Sequence, residues 1–168
     1  MDIEKITNQL KKGVEDNYRK HGSVTAVSFM IKNGNMVILP APILKLFTDD
    51  KDKFYEIVRS MVKSIQPDAV ILISEVWFIL DKENGVFEQP SKSKNRREAV
   101  LLTVDTKNRQ ITYFSEIREK KMGEWKTFSN FDKTKPNKTE LRGNMPLRDF
   151  IDSKSPDEYV QEAQGYGR

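Results

Sequence analysis

The chain has 168 residues, of which 37% are hydrophobic and 32% charged, so it can bury one ordinary domain core beneath a heavily charged surface. It contains no cysteine, which excludes a disulfide scaffold, thiolate-ligated zinc and a cysteine nucleophile. The net charge of +4 is smaller than a dedicated nucleic-acid-binding protein usually carries. The longest apolar run, about a dozen residues, falls short of the roughly 20 that a membrane span needs, and the charged N-terminus lacks an apolar signal core. We therefore expect a soluble, cytoplasmic protein with no membrane partner.

The first 20 residues predict an amphipathic helix that ends at 21–23 (HGS). Its apolar stripe recurs at three-to-four spacing and consists of Ile3, Ile6, Leu10, Val14 and Tyr18. Two extended runs follow on either side of Asn33-Gly34, a dipeptide that tolerates the positive φ angles of a type I′ turn and so predicts a β-hairpin. Pro40 and Pro42 end the second strand, because proline cannot donate a ladder hydrogen bond.

The segment 47–68 predicts a second helix that packs across one face of a sheet. Thr48 or Asp49 can cap its N-terminus, acidic residues crowd its first turn, and Pro67 ends it. The expected buried stripe consists of Phe54, Ile57, Val58, Met61, Val62 and Ile65.

The rest of the chain predicts strands and then a polar arm. Strands are expected at 69–80, 98–105 and 109–117, with a last candidate at 124–128. Short turns favour antiparallel pairing, so the predicted fold class is α+β: a mostly antiparallel sheet in the order α-β-β-α-β-β-β, one or two helices packed on it, and an extended C-terminal arm. We expect a single α+β domain over 1–128 and a polar arm over 129–168, partly docked or flexible. The apolar residues that could dock the arm are Met145, Leu147, Phe150 and Ile151.

Strand register decides the surroundings of Glu75, the one carboxylate in the apolar run 69–80. A tight turn at 106–109 predicts that Tyr113 lies opposite Leu102. A hairpin closed by the longer loop at 81–97 would also bring Glu75 opposite Leu102. One face of the sheet then carries Glu75, Trp77, Val100, Leu102, Val104, Ile111, Tyr113 and Ser115.

A carboxylate in that setting has either a structural or a chemical role. Burial of Glu75 without a partner would cost several kcal/mol. Desolvation beside Tyr113 and Trp77 would raise its pKa, the condition for a general acid or base. Structural carboxylates are the commoner outcome, so a small-ligand or hydrolytic pocket with Glu75 and Tyr113 as catalytic residues, lined by Trp77 and Ser115, is an alternative hypothesis.

Further catalytic equipment is sparse. His21 is the only histidine and lies at a helix end, which rules out a two-histidine metal site. Glycine-rich phosphate loops and calcium-loop spacing are absent from the sequence. The sequence therefore favours a protein that is not an enzyme and predicts no metal and no cofactor.

Basic residues are concentrated in the loop 91–97 and, interleaved with aromatics, in the region 118–148. Acidic residues at 119, 124, 132 and 140 dilute this charge, so nucleic acid is an alternative partner. The basic set comprises Lys92, Lys94, Arg96, Arg97, Lys133, Lys135 and Lys138. Trp77 and Trp125 complete the expected binding residues.

The first hairpin offers an exposed sheet edge. Its run 29–39 (FMIKNGNMVIL) carries few charges that would prevent pairing with another strand. Our first hypothesis is a non-catalytic interaction or regulatory protein of bacterial or phage type, which binds a protein partner or a second copy, as a homodimer, through a sheet edge or the C-terminal arm. The alternatives are a nucleic-acid-binding accessory protein that uses the basic loop and arm, and the pocket around Glu75.

Overall fold

The computed structural model describes residues 2–78, 96–134 and 150–151, which form three helices and six strands. The helices are α1 (Ile3–His21), α2 (Ala41–Asp49) and α3 (Lys51–Ile65). The strands are β1 (Val27–Lys32), β2 (Asn35–Ile38), β3 (Ala69–Phe78), β4 (Arg97–Thr106), β5 (Arg109–Arg118) and β6 (Lys121–Asp132). In these parts of the chain, no helix combines the length and the apolar character needed to cross a bilayer.

The strands form one antiparallel sheet in the order β2-β1-β3-β4-β5-β6. The predicted α+β fold class is therefore confirmed. The candidate strand at 124–128 is confirmed within the longer β6. Among the described residues, β2 and β6 form the two edges of the sheet.

Local sequence signals explain the first three elements. The Asp2 side chain caps α1 by accepting a hydrogen bond from the Lys5 backbone N–H at 3.0 Å. The predicted hairpin between β1 and β2 is confirmed, because Asn33 and Gly34 form its turn with φ angles of 51° and 78°. Gly34 suits this turn because it lacks the Cβ that disfavours positive φ.

Helix α2 is absent from the sequence prediction, which read Pro40 and Pro42 only as the end of a strand. Pro40 is the residue before the first helical turn, and Pro42 lies within that turn. The backbone N–H groups of a first turn have no partner inside the helix, so proline is tolerated there. The following helix also begins later than predicted, because Asp50, rather than Thr48 or Asp49, caps α3 through a hydrogen bond from Lys53 N–H at 3.2 Å.

The sheet has a core on each face, because successive β3 side chains point to opposite sides. On one face, α1 packs against Ile71 and Ile73 of β3, forming the α1-side core. On the other face, α3 packs against Val70 and Leu72, forming the α3-side core. The α3 residues Phe54, Val58 and Val62 are buried as predicted, and Tyr55 is buried as well. Ile65 was predicted to be buried but is 37% exposed, because it is the last residue of the helix.

The register prediction is right for one hairpin and wrong for the other. Tyr113 lies opposite Leu102, as the tight turn between β4 and β5 predicts. Glu75 lies opposite Val100 instead of Leu102, because the hairpin pairs Phe78 with Arg97. A two-residue shift preserves the side-chain alternation, so Glu75 keeps its predicted face.

A buried ion pair fastens residues 150–151 to the sheet. The Lys133 ammonium lies 2.5 Å from the Asp105 carboxylate, and their side chains are 2% and 0% exposed. The second carboxylate oxygen accepts hydrogen bonds from the backbone N–H groups of Phe150 at 2.7 Å and Ile151 at 2.9 Å. The Phe150 ring then stacks on Tyr55 of α3, with 4.9 Å between ring centroids.

Candidate functional site

The β2 edge consists of Met36, Val37 and Ile38, three consecutive large apolar residues exposed at the border of the sheet. Their exposed fractions are 43%, 62% and 59%. An edge strand with free bonding groups can pair with another strand, and natural proteins usually protect it with charges or proline. None of these three residues is charged, so the β2 edge is chemically suited to strand pairing.

The hairpin geometry tells which backbone groups of the β2 edge are free to pair. The Leu39 backbone N–H donates to the Ser28 carbonyl at 2.9 Å, so position 39 bonds towards β1. Bonding direction alternates along an antiparallel strand. Val37 therefore directs its N–H and C=O towards β1, whereas Met36 and Ile38 direct theirs away from the sheet.

Contacts at both ends hold the hairpin in place. At the turn, the Asn33 backbone N–H donates to the Asp68 carboxylate at 2.8 Å. The Lys32 ammonium beside the turn donates to the Ile65 carbonyl at the C-terminal end of α3. At the far end, the side chain of Leu39 is buried in the α3-side core. The edge is thus pre-organised, which reduces the entropy lost on binding a partner.

A second exposed surface, the Trp77 groove, lies at the end of β3. Trp77 is 47% exposed, and the Arg96 guanidinium carbon lies 4.2 Å from the centroid of its ring, a cation–π contact. The groove has a volume of about 890 Å³, and its lining includes Tyr18, Trp77, Arg96, Glu98, Arg118 and Lys120. Acidic and basic side chains are therefore mixed along the groove.

Glu116 neutralises part of the charge at this groove. Its carboxylate lies 2.5 Å from the Arg97 guanidinium and 3.0 Å from that of Arg118. Burial by itself would raise the pKa of Glu116, but the hydrogen bonds and charges of the two arginines outweigh it and lower the pKa. The positive charges of Arg97 and Arg118 are thus partly neutralised by the Glu116 carboxylate of the same chain.

Glu75 stabilises the connection between α1 and β1 through a hydrogen bond. It lies near the exposed end of β3, and its carboxylate accepts a hydrogen bond from the buried Val24 backbone N–H at 2.6 Å. Burial, and then the charges of Glu75 and Glu98, raise the pKa of the neighbouring Tyr18 hydroxyl. These contacts give Glu75 a structural role.

Tyr113 and Ser115 have partners of their own. Burial, and then the charge of Glu4, raise the pKa of Tyr113, and the Lys11 ammonium lies 3.6 Å from the centroid of its ring. The Ser115 hydroxyl donates to the Gly123 carbonyl at 2.7 Å. Tyr113 lies two strands from Glu75 and two residues along from its row of cross-strand pairs, which separates their backbones by roughly 12 Å. The structure does not bring the two candidate catalytic residues together.

The predicted binding residues are divided among three locations. Trp77, Arg96 and Arg97 meet at the Trp77 groove. Trp125 is half-buried against the α1-side core, and its indole N–H has no hydrogen-bond partner among the described residues. Lys133 was predicted for a basic surface, but its ammonium lies inside with Asp105 and also donates to the carbonyls of Thr106 and Ile151. Four further basic residues lie outside the described residues: Lys92, Lys94, Lys135 and Lys138.

The sequence predicts an exposed edge over the run 29–39, and the structure narrows it to Met36, Val37 and Ile38. The signal was available, because the Asn33-Gly34 turn fixes which positions of β2 bond inwards and which outwards. Within the described ranges, acidic residues and His21 do not form a cluster that could hold a metal ion.

Across the described residues, the fold and the β2 edge define an α+β protein with an antiparallel sheet and an exposed apolar edge strand. The chain belongs to the family described as Bacteriophage lambda protein ea47, which matches residues 2–165. It is thus a phage-type protein. No curated protein and no solved structure matches the chain.

Proposed function

We propose that this phage-type protein is a non-catalytic interaction protein that binds a strand of another polypeptide at the β2 edge. The observation that carries the proposal is the coincidence of three exposed apolar side chains with outward-directed backbone groups at Met36 and Ile38. Backbone hydrogen bonds supply affinity in this type of recognition, and side-chain contacts supply specificity. A cytoplasmic location is part of the proposal and agrees with the charged, cysteine-free composition.

The size of the edge indicates a transient complex. Full burial of a side chain such as Val37 or Ile38 contributes about 1.5–3 kcal/mol. Association costs about 4–15 kcal/mol in lost translational and rotational freedom. Three side chains and a few backbone hydrogen bonds therefore support reversible binding, which a second contact outside the edge could strengthen.

A strand peptide tests the proposal directly. The probe is a synthetic peptide that copies residues 33–40, with two lysines added for solubility, titrated into isotope-labelled protein. Binding at the edge should shift the backbone resonances of Met36 and Ile38 more than those of β6. The matched control peptide carries N-methyl groups on its Met and Ile amides, which removes the donors and should abolish the shifts. Saturating peptide that leaves Met36 and Ile38 unchanged would overturn the proposal.

Single-stranded nucleic acid at the Trp77 groove is a second candidate function. The exposed indole beside the Arg96 guanidinium supports it, because bases stack on aromatic rings while cations pair with phosphates. Glu98 and Glu116 in the same groove count against strong binding. The test is fluorescence anisotropy of a labelled thymidine oligonucleotide at about 50 and about 200 mM salt. Salt-sensitive binding that the substitution Trp77→Ala abolishes supports this candidate, and absence of binding at the lower salt concentration excludes it.

Two parts of the sequence-based hypothesis are not carried into the proposal. The pocket around Glu75 is left out because Glu75 and Tyr113 lie apart and each has other partners. The C-terminal arm is left out as a binding surface because Phe150 and Ile151, the described residues that follow position 134, are buried against the body.

A further inference from the structure

We propose that the strand which pairs with β2 is β2 of a second copy, in an antiparallel register with the two-fold axis at Val37. The proposal rests on the proposed function, since it names the partner of the same edge. It predicts a homodimer in which two six-stranded sheets join into one continuous sheet.

The backbone of β2 is self-complementary about Val37. Met36 and Ile38, which direct their bonding groups outwards, lie at equal distances on either side of it. When Val37 faces its own copy, Met36 faces Ile38 of the second copy, and the reverse pair is equivalent by symmetry. Each pair exchanges two backbone hydrogen bonds, so four hydrogen bonds close the interface without an unpaired group between them.

Other registers pair fewer groups. A shift by one residue sets the outward groups of Met36 against positions that bond inwards, and the ladder is lost. A shift by two residues in one direction brings Pro40 into the pairing, which has no N–H and begins the turn into α2. The same shift in the other direction brings in Gly34, whose φ of 78° is incompatible with an extended strand. The register centred on Val37 therefore satisfies the edge best.

The side chains of the edge are matched in the same register. Val37 pairs with Met30 of the α3-side core, so the two Val37 side chains meet on that face. Met36 and Ile38 pair with Ile31 and Phe29 of the α1-side core. On that face, Met36 of one copy therefore meets Ile38 of the other, and Ile38 meets Met36. The three most exposed apolar residues of β2 thereby cover one another, and no charged side chain of the strand opposes them.

The absence of cysteine makes this register directly measurable by disulfide cross-linking. Directly opposed residues of a non-hydrogen-bonded pair have Cα atoms about 4.5 Å apart, within the roughly 4.4–6.8 Å that a disulfide tolerates. The variant Val37→Cys should therefore cross-link with itself under mild oxidation. Met36→Cys is the matched control, because its own copy lies about 7–8 Å away across a diagonal. Ile65→Cys, at an exposed apolar site at the end of α3, controls for random collision.

We expect Val37→Cys to form the covalent dimer at least about tenfold faster than either control, since disulfide formation tolerates little excess distance. Light scattering on the cysteine-free chain should give a mass that rises towards twice 19.5 kDa with concentration. The variant Val37→Asp should stay monomeric, because it sets two carboxylates opposite each other at an exposed site that does not affect the core.

The outcomes separate the dimer from the wider proposal. Equal cross-linking rates in the three cysteine variants, or a dimer that Val37→Asp does not weaken, would overturn the Val37 register. A chain that stays monomeric at every concentration would overturn the homodimer, while the strand peptide could still bind and leave the proposed function in place. A monomeric chain that also ignores the strand peptide would contradict both.

Discussion

Removal of the Asp105 carboxylate should destabilise the protein more than removal of any exposed carboxylate. Asp105 is fully buried, and its oxygens serve the Lys133 ammonium and the backbone N–H groups of Phe150 and Ile151. The variant Asp105→Ala removes the carboxylate beside the buried ammonium and leaves the two buried N–H groups without this acceptor. Breaking a buried ion pair from one side costs about 3–5 kcal/mol.

The magnitude follows from the size of the chain. In a domain of 150–250 residues, 1 kcal/mol lowers the melting temperature by roughly 2–4 °C. The expected decrease for Asp105→Ala is therefore about 6–20 °C. Thermal and urea unfolding, followed by circular dichroism, measure this difference.

Two further variants make the measurement specific. Asp16→Ala removes an exposed carboxylate that pairs with Arg19 at 3.2 Å, and we expect a cost below about 1 kcal/mol. The double variant Asp105→Ala with Lys133→Met should cost less than the sum of its single changes, because neither charge is then left alone. If Asp105→Ala unfolds within about 1 kcal/mol of the unchanged chain, the buried pair does not hold residues 150–151 as we infer.

Three other predictions concern the turn, the groove and the α1–β1 connection. Gly34→Ala should cost about 1 kcal/mol, measured by urea unfolding, because alanine is strained at a φ of 78°; an unchanged stability would contradict the turn geometry. Glu75→Gln should retain most of the stability, since it keeps the acceptor for Val24, whereas Glu75→Ala should lose about 1–2 kcal/mol; equal losses would exclude this role. The pKa of Glu116 is lowered because its arginine partners outweigh the effect of burial, so its stabilisation is complete above pH 4.5 and is lost as the pH falls through the lowered pKa. As the pH falls below 4.5, the free energy of unfolding should decline less in Glu116→Gln than in the unchanged chain. An equal decline would refute the assignment of this pH dependence to Glu116.

Local signals made much of the fold predictable. The Asn33-Gly34 dipeptide predicts its hairpin because the required positive φ angles are a property of the turn itself. The pairing of Tyr113 with Leu102 was predictable for the same reason, since a short turn leaves few registers. The fold class followed from strands joined by short turns.

The errors arose where a residue has two readings or where distant residues meet. Pro40 and Pro42 end a strand and also begin a helix, and the sequence analysis considered only the first role. The long connection between β3 and β4 does not fix the register of these two strands. Leu102 was therefore predicted opposite Glu75, two residues away from its actual partner Val100. Lys133 looked like a surface cation because its partner, Asp105, lies on β4, far from Lys133 in the sequence.

The candidate site was only partly visible in the sequence. The run 29–39 indicated an apolar edge. However, β2 is the edge strand only because β1 pairs with β3 on the side away from β2. The contact between Trp77 and Arg96 depends on the register between β3 and β4, which local patterns do not determine.

Amide hydrogen exchange along β2, measured at increasing protein concentration, tests the central claim most directly. At low concentration, the Met36 and Ile38 amides point to solvent and should exchange fast, whereas the Val37 and Leu39 amides bond to β1 and should exchange slowly. As the concentration rises, edge pairing should slow amide exchange at Met36 and Ile38. The ratio of the exchange rates of Val37 and Leu39 should stay unchanged. Exchange at Met36 and Ile38 that stays equally fast at every concentration would contradict pairing of two β2 edges.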